Sequence, residues 1–177
     1  MRNLVKTIAI AAVFFFSVGA ASAQQKLGHI NSQAILSAMP ELKTADEAFE
    51  TFRKTKLSEL EAVDKERQAK VATFQQKYQT LTEANQEVLG KELEGLNQEI
   101  QQIEQRIGEL DQQAQAELGK KREELYKPVL AKAETAIKAV AKEKGYAYVF
   151  DTANQALVYF DGGEDITPLV KTRLGIK

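Results

Sequence analysis

Between residues 41 and 144 the apolar and polar positions alternate with the period of an α-helix, and no proline interrupts this stretch before Pro128. In its clearest part, apolar residues are separated alternately by four and three positions: Leu89, Leu93, Leu96, Ile100, Ile103, Ile107, Leu110 and Ala114. This spacing is the heptad of a coiled-coil seam. The residues between are nearly all polar, so the apolar stripe is narrow and requires another helix along it. The pattern predicts a long, thin helical element.

Two shorter apolar rows in the first half of this stretch, one from Leu42 to Phe52 and one from Val71 to Leu81, have the same spacing. We predict that the stretch folds back as an antiparallel helical hairpin, because the short strands predicted at its two ends could then pair. The aromatic residues of these rows could instead grip a bound chain, but their heptad spacing favours the seam. The predicted seam consists of Phe49, Phe52, Val71, Phe74, Tyr78, Leu93, Leu96, Ile100, Ile103, Ile107 and Leu110.

The reversal of the hairpin is predicted near residues 80–90. Thr80 and Glu83 have the spacing of a capping box that starts a helix, whereas Gly90 could end one. Halving the stretch places the tip near Gly90, several residues beyond the position that the capping box indicates. We favour the capping box.

The returning helix contains residues that weaken it. Gly95, Gly108 and Gly119 each lower helix stability by about 1 kcal/mol relative to alanine, so the helix should bend there unless these glycines pack against something. Pro128 is expected to kink the helix or break its hydrogen bonding near Glu124.

Short strands and helices are predicted on either side of the hairpin. Lys26–Asn31 is a strand candidate and Ser32–Ala38 a brief helix, after which Pro40 begins the long helix. Tyr146–Phe150 and Ala156–Phe160 are two further strands, joined by a turn-rich loop. Thr167 and Pro168 supply the N-cap and first position of a closing helix that ends at Leu174.

The predicted fold class is α+β, with a helical-hairpin tentacle on a small β-strand body. Residues 24–40 and 145–177 form the body and residues 41–144 the tentacle. Such a body has little core and exposed strand edges, and its last two predicted strands are apolar on both faces, so we expect self-association. The predicted oligomerisation residues are Leu27, Ile30, Tyr148, Val149, Phe150, Leu157, Val158 and Phe160.

Residues 1–23 have the pattern of a cleaved export signal: Arg2 and Lys6, then an apolar run, then a small-residue site ending at Ala23. The 177-residue chain has 24 basic and 25 acidic residues, and removing these two basic residues leaves 22 against 25, a net charge of −3. This balance argues against a nucleic-acid binder and gives no support to membrane contact, which stays open. We expect a soluble periplasmic protein.

Catalytic machinery is not recognisable in the sequence. His29 is the single histidine and there is no cysteine, so a structural or surface role is favoured over metal binding. Carboxylate pairs such as Glu123 and Glu124 occur in helical charge runs, which usually face solvent. A phosphate-binding loop is missing. We predict no catalytic, metal or cofactor site, and hence no enzyme.

Both ends of the chain resemble the Skp/OmpH family of periplasmic chaperones. The segments that carry the resemblance are Lys26–Pro40 (KLGHINSQAILSAMP), Tyr146–Asp151 (YAYVFD), Ala156–Phe160 (ALVYF) and Asp165–Val170 (DITPLV). The resemblance implies a homotrimer with a shared β-barrel body and three tentacles around a cavity. It also implies an ATP-independent holdase for unfolded outer-membrane proteins. The acidic balance departs from the basic family members, so no lipopolysaccharide site is carried over.

The rival function is a structural or adaptor coiled coil of the cell envelope, with one folded partner and no affinity for unfolded chains. Heptad spacing alone fits both functions. The sequence does not identify the client-binding residues.

Overall fold

A computed structural model describes residues 25–154 and 159–176 of the chain. Long helices dominate and a small sheet accompanies them, which confirms the predicted combination of α and β elements. The predicted export signal lies outside the described residues. In chain order the elements are β1 (Leu27–Ile30), α1 (Ser32–Leu36), α2 (Pro40–Gln79), α3 (Gln86–Lys144), β2 (Tyr148–Asp151), β3 (Glu164–Asp165) and α4 (Thr167–Leu174).

The chain divides into two compact units. One unit, called the sheet unit below, comprises the described residues up to Ile35 and those from Thr135 onward. The other, called the hairpin unit, comprises Leu36–Glu134. The boundaries at residues 40 and 144 therefore stay predictions, since the division falls at different positions.

The sheet has three strands in the order β2-β1-β3, and both pairings are parallel. Leu27 lies opposite Tyr148, and His29 lies between Phe150 on one side and Asp165 on the other. Since side chains alternate between the faces of a strand, Leu27, His29, Tyr148 and Phe150 share one face. We call this face the outer face of the sheet.

The predicted strand at Ala156–Phe160 is wrong where it can be checked. Residues 156–158 lie outside the described residues, and Tyr159 and Phe160 belong to no strand. The third strand is instead Glu164–Asp165. Two glycines precede it with φ angles of 124° and 81°, a backbone conformation that side chains disfavour.

The opposite face of the sheet carries the core of the sheet unit. Ile30 on β1 is buried, and Ile35, Ile166 and Val170 have no exposed surface. Gly28 lies against the buried Tyr146 ring. A Cβ atom at Gly28 would be only 3.0 Å from Tyr146 Cδ1. A side chain at residue 28 would therefore displace the ring.

Polar side chains join the carboxyl ends of the three strands. The Asp151 carboxylate at the end of β2 accepts hydrogen bonds from the Ser32 amide at 3.0 Å and the Ser32 hydroxyl at 2.6 Å. The Asn31 amide donates to Thr167 Oγ1 at 2.9 Å. Asp165 Oδ1 accepts from the Thr167 amide at 2.9 Å. Helix α4 begins at Thr167 and its N-cap is Ile166. The predicted N-cap role of Thr167 is therefore wrong by one position.

The long helices begin and end at recognisable residues. Pro40 is the first residue of α2, as predicted, and Glu41 lies in its first turn. Helix α3 continues through Pro128 to Lys144. Gly145 then has φ 73°, and the Tyr146 amide donates to the Ala141 carbonyl at 2.9 Å. This is the glycine C-terminus that the sequence predicts.

Residues 80–85 separate the two long helices. The capping-box prediction is wrong, because Thr80 is the C-cap of α2 and its hydroxyl donates to the Lys77 carbonyl at 2.8 Å. Asn85 holds the turn: its Oδ1 accepts from the Thr82 amide and its Nδ2 donates to the Thr80 carbonyl. Gly90 lies inside α3.

Candidate functional site

Contacts between α2 and α3 in the hairpin unit run in antiparallel order. Lys77 pairs with Glu92 at 2.5 Å, Lys70 with Glu99 at 2.6 Å and Lys56 with Glu117 at 2.8 Å. Glu66 with Arg106 and Glu41 with Lys132 continue the same series. As the residue number falls along α2 it rises along α3, so the two helices lie alongside each other over most of the length of α2.

The apolar seam between these helices is thin. Ala45 is the one buried residue of α2, and the buried apolar residues of α3 within the hairpin unit are Leu93, Ile103, Ala114, Val129 and Ala133. Lysine side chains of α2 form three of the five cross-helix ion pairs named above. A two-helix hairpin has no third layer to cover it, so most of its surface stays in water.

The predicted seam residues divide into three groups by exposure. Leu93 and Ile103 are buried. Tyr78 is 60% exposed and stacks on Phe74 with 6.2 Å between ring centroids, which argues against a place for Tyr78 in the seam. The others are partly buried: Phe49, Phe52, Val71, Phe74, Leu96, Ile100, Ile107 and Leu110.

Four apolar residues of the hairpin unit lie at least half exposed: Leu57, Tyr78, Val88 and Leu130. They are called the exposed apolar residues below. The sequence analysis named Tyr78 and gave no role to Leu57, Val88 or Leu130. Leu130, for example, directly follows the buried Val129, and neighbouring positions of a helix point in different directions.

Tyr126 connects α3 to α2 beside Pro128. Its hydroxyl donates to Asp46 Oδ1 at 2.6 Å, and its ring meets Phe49 edge-on at a centroid distance of 6.1 Å. The hydrogen bond to Asp46 raises the pKa of Tyr126. This contact ties the two helices together where proline removes a backbone hydrogen bond.

Three glycines inside α3 lie against open space in the part of the chain that the structure describes. A Cβ at Gly95, Gly108 or Gly119 would meet nothing within 4 Å. No close approach in the described residues therefore requires glycine at these positions, and their physical effect is to weaken the helix.

The outer face of the sheet is partly exposed in the described structure, although the Phe160 ring lies 5.1 Å from the His29 ring between centroids. Leu27, Tyr148 and Phe150 are between 42% and 55% exposed, and Phe160 is 50% exposed. Val149 is partly buried. Ile30 is buried in the core of the sheet unit, and its place in a subunit interface stays a prediction. Leu157 and Val158 lie outside the described residues.

Hydrogen bonds and ion pairs shift the pKa values of several ionisable groups in the described ranges. A hydrogen bond from Tyr146 and the Lys26 charge lower the pKa of Glu164, while Glu117 and then Glu59 raise the pKa of Lys56. Such shifts move the groups away from neutrality, whereas a general acid or base needs a pKa near the working pH. No three His, Asp or Glu side chains in the described residues could together hold a metal ion.

Within residues 25–154 and 159–176, none of the helices combines the length and the apolar character that a bilayer span requires.

Two long antiparallel helices and a small parallel sheet define the class of this fold. The same fold occurs in the crystal structure of a putative outer membrane chaperone (OmpH-like) from Caulobacter crescentus CB15, with a TM-score of 0.67. The match covers 86% of this chain and 85% of that chain at 17% sequence identity. At this identity the likeness concerns the fold alone.

The sequence comparison gives the family. Residues 26–174 match the family described as outer membrane protein (OmpH-like), and the chain belongs to that family. This confirms the resemblance found in the sequence. The chain is also 27% identical over 157 residues to the chaperone protein Skp of Vibrio cholerae serotype O1, covering 87% of this chain and 89% of that protein.

Proposed function

We propose that this chain is an ATP-independent holdase chaperone of the periplasm, which encloses unfolded outer-membrane proteins and prevents their aggregation. Membership of the OmpH-like family supports a chaperone role, as does the similarity to the Vibrio cholerae protein that is named as a chaperone. The observation that carries the proposal is the long hairpin with a thin seam, whose surface is available to a bound chain.

The exposed apolar residues are the client contacts in this proposal. They are spread along α2 and α3 and surrounded by polar side chains, so each supplies a small, separate contact of about 1 kcal/mol. Contacts of this size break easily one at a time, and several acting together raise the overall affinity by orders of magnitude. A client is then held without being fixed in one conformation and leaves without nucleotide hydrolysis.

This arrangement supports the proposed client class. Strands of outer-membrane barrels alternate apolar and polar residues, so an unfolded barrel protein offers many separate apolar side chains. Scattered single contacts suit such a chain better than a continuous groove does. Because residues 24–177 carry a net charge of −3, we assign the contacts to apolar burial and not to attraction of acidic clients.

Assembly as a homotrimer completes the proposal. The outer face of the sheet exposes Leu27, Tyr148, Phe150 and Phe160, and burying such aromatic surface is favourable. In the proposed trimer the sheets of three copies associate and their hairpins enclose one client. The predicted cleavage after Ala23 would release the protein into the periplasm.

The test dilutes a urea-denatured outer-membrane barrel protein into buffer and follows aggregation by light scattering. We expect suppression without ATP at about one trimer per client. Aggregation that proceeds as in buffer alone would refute the holdase. If a folded envelope protein were instead captured, the adaptor function would take its place.

A matched pair of variants locates the client contacts. If each contact contributes about 1 kcal/mol, replacing all four exposed apolar residues with serine removes about 4 kcal/mol and should raise the concentration required for suppression by about a thousandfold. The control replaces Gln75, Gln98, Gln101 and Gln105, exposed on the same helices, with serine and should protect as well as the natural protein. Equal protection by both variants would show that the client binds elsewhere.

A further inference from the structure

Leu130 forms part of a groove on the surface of α3, beside Pro128. The groove has a volume of about 610 Å³, a size that is usual for sites that hold small ligands. The residues that line it recur at intervals of three and four positions, which places them on one face of the helix. The lining residues used below are Gly119, Arg122, Glu123, Tyr126, Lys127 and Leu130. Because all of them belong to α3, the groove is complete in a single copy of the chain.

The floor of this groove is apolar and open. Leu130 is 50% exposed. Gly119 leaves free space at one end, because a Cβ there would meet nothing within 4 Å. Tyr126 is held in place from the α2 side, by the 2.6 Å hydrogen bond to Asp46 and the edge-on contact with Phe49. A large apolar side chain can therefore lie against Leu130 and Tyr126 without displacing another group.

A cation without a partner lies at the edge of the groove. Glu123 pairs with Lys127 at 3.2 Å, and Glu134, also in the lining, has an interaction within the chain. Arg122 is exposed and forms no ion pair or hydrogen bond in residues 25–154 and 159–176. A guanidinium beside an apolar surface suits the face of an aromatic ring, which attracts cations through its quadrupole.

We propose that this groove binds aromatic side chains of unfolded clients and gives the protein a preference for aromatic over aliphatic residues. The proposal rests on the holdase function put forward above and assigns a specificity to one of its contacts. Burial against Leu130 favours any large apolar side chain. The Tyr126 ring adds an aromatic pair, and Arg122 adds a cation–π contact. An aliphatic side chain obtains only the first of these.

The proposed clients offer aromatic side chains at intervals. Membrane barrels carry girdles of aromatic residues at both membrane interfaces, so an unfolded barrel protein has such residues spread along its length. One of them can enter the groove while other parts of the client contact the remaining exposed apolar residues. An acidic side chain would also be attracted to Arg122, but it would lose hydration against Leu130. An aromatic ring is the occupant that satisfies both parts of the groove.

Two other cavities along the hairpin do not have this combination. One is lined by polar and small side chains between residues 51 and 62 of α2. In the other, Leu60 and Ile107 are accompanied by five charged or amide side chains. Neither lining includes an aromatic ring. The preference is therefore assigned to the groove at Leu130.

The experiment compares two forms of one urea-denatured outer-membrane barrel protein, the natural client and a variant with its girdle aromatic residues replaced by leucine. Each carries a dye at one terminus, and its affinity for the full chain is measured by fluorescence anisotropy. We expect the aromatic client to bind about fivefold more tightly or better, the effect of one exposed cation–π contact.

Two leucine variants locate the preference. Leu130→Ser should abolish it. Leu57→Ser is the matched control, because Leu57 is 53% exposed on the same hairpin unit and lies outside the groove. This control should bind both clients more weakly and keep the preference.

Two cation variants test the contribution of the guanidinium. Arg122→Gln should weaken binding of the aromatic client about fivefold and leave the leucine client unchanged. Lys120→Gln removes an exposed cation two positions away that does not line the groove. It should affect the two clients equally, which separates ring recognition from general attraction by charge.

Tryptophan fluorescence gives a second, direct measurement. The chain contains no tryptophan, so the emission of a complex comes from the tryptophans of the client. We expect this emission to shift to shorter wavelength on binding, and the shift to be smaller with Leu130→Ser than with Leu57→Ser.

Equal affinity of the natural chain for the two clients overturns the proposal, as does a preference that survives both Leu130→Ser and Arg122→Gln. A preference lost equally in Leu57→Ser overturns its assignment to this groove. Suppression of aggregation is measured separately. A chain that protects both clients equally well is a holdase without this specificity, whereas a chain that protects neither refutes the holdase itself.

Discussion

The hydroxyl of Tyr126 donates a hydrogen bond of 2.6 Å to Asp46, a residue 80 positions earlier in the chain. The two residues lie on different helices of the hairpin unit, close to Pro128. Glu41 and Lys132 pair nearby, and in the other direction the series continues through Lys56 and Glu117. Together these contacts fix which residue of α2 faces which residue of α3.

Removing the Tyr126 hydroxyl tests the contribution of this single contact. Tyr126→Phe keeps the edge-on packing against Phe49 and should lower the free energy of unfolding by about 1 kcal/mol, the typical value for one hydrogen bond. Urea unfolding followed by circular dichroism at 222 nm measures this loss. Tyr78→Phe serves as the control, and an equal loss in both variants would deny Tyr126 a special role.

The antiparallel register can be tested by exchanging charges. Glu66→Arg places two cations together at the contact with Arg106 and should destabilise the protein by up to about 1 kcal/mol, since exposed ion pairs contribute little. Adding Arg106→Glu should restore stability at low salt. Failure of the double variant to recover, measured by thermal unfolding at 20 mM and 500 mM salt, would contradict the register.

Alanine at the helical glycines should stabilise and stiffen α3. Gly95→Ala, Gly108→Ala and Gly119→Ala meet no steric obstacle, so each should raise stability by up to about 1 kcal/mol. Gly28→Ala should instead destabilise by roughly 1–3 kcal/mol, because its Cβ meets the Tyr146 ring. Urea titration distinguishes the two outcomes.

The triple alanine variant also tests the role of bending in the proposed holdase. If flexible hairpins accommodate clients of different size, protection of the largest barrel proteins should decline first. Unaltered protection of both small and large clients would remove flexibility from the mechanism.

Acid should weaken the sheet unit. Burial alone would raise the pKa of Asp151, but hydrogen bonds from Ser32 and Ala153 outweigh it and lower the pKa. A hydrogen bond from Thr167 lowers the pKa of Asp165, and Tyr146 together with Lys26 lowers that of Glu164. Each carboxylate therefore stabilises the fold above its ordinary pKa, and this stabilisation is lost as the pH falls through the lower folded value.

The thermal unfolding midpoint, measured at pH values from 7 to 3, should therefore decrease once the pH is below about 4. Asp151→Asn should be less stable at pH 7 and show a shallower decline in acid, because it has no charge to lose. Glu94→Gln, exposed on the hairpin, is the control. A decline equally steep in Asp151→Asn would exclude Asp151 as a source of the acid sensitivity.

The sequence by itself determined the long helices, the proline that begins α2, the glycine that ends α3 and the family. These features depend on local conformation or on periodicity: a proline ring fixes φ, a glycine tolerates positive φ, and a heptad repeats over many residues. Such signals are contained in neighbouring positions of the chain. The strand Leu27–Ile30 was also recognisable from neighbouring positions of the chain.

Only the tertiary structure decided the pairing of distant residues. One wrong prediction had a local cause instead: Thr80 ends a helix and does not start one, because Asn85, five residues later, closes the turn. The parallel sheet forms because Glu164 and Asp165 pair with β1, which lies far from them in sequence. The exposure of Tyr78 depends on how the two long helices pack. The burial of the unpaired His29 nitrogen likewise depends on chain segments that are distant in sequence. Burial and hydrogen bonding are settled by residues far apart in sequence, and no local pattern encodes which of them will meet.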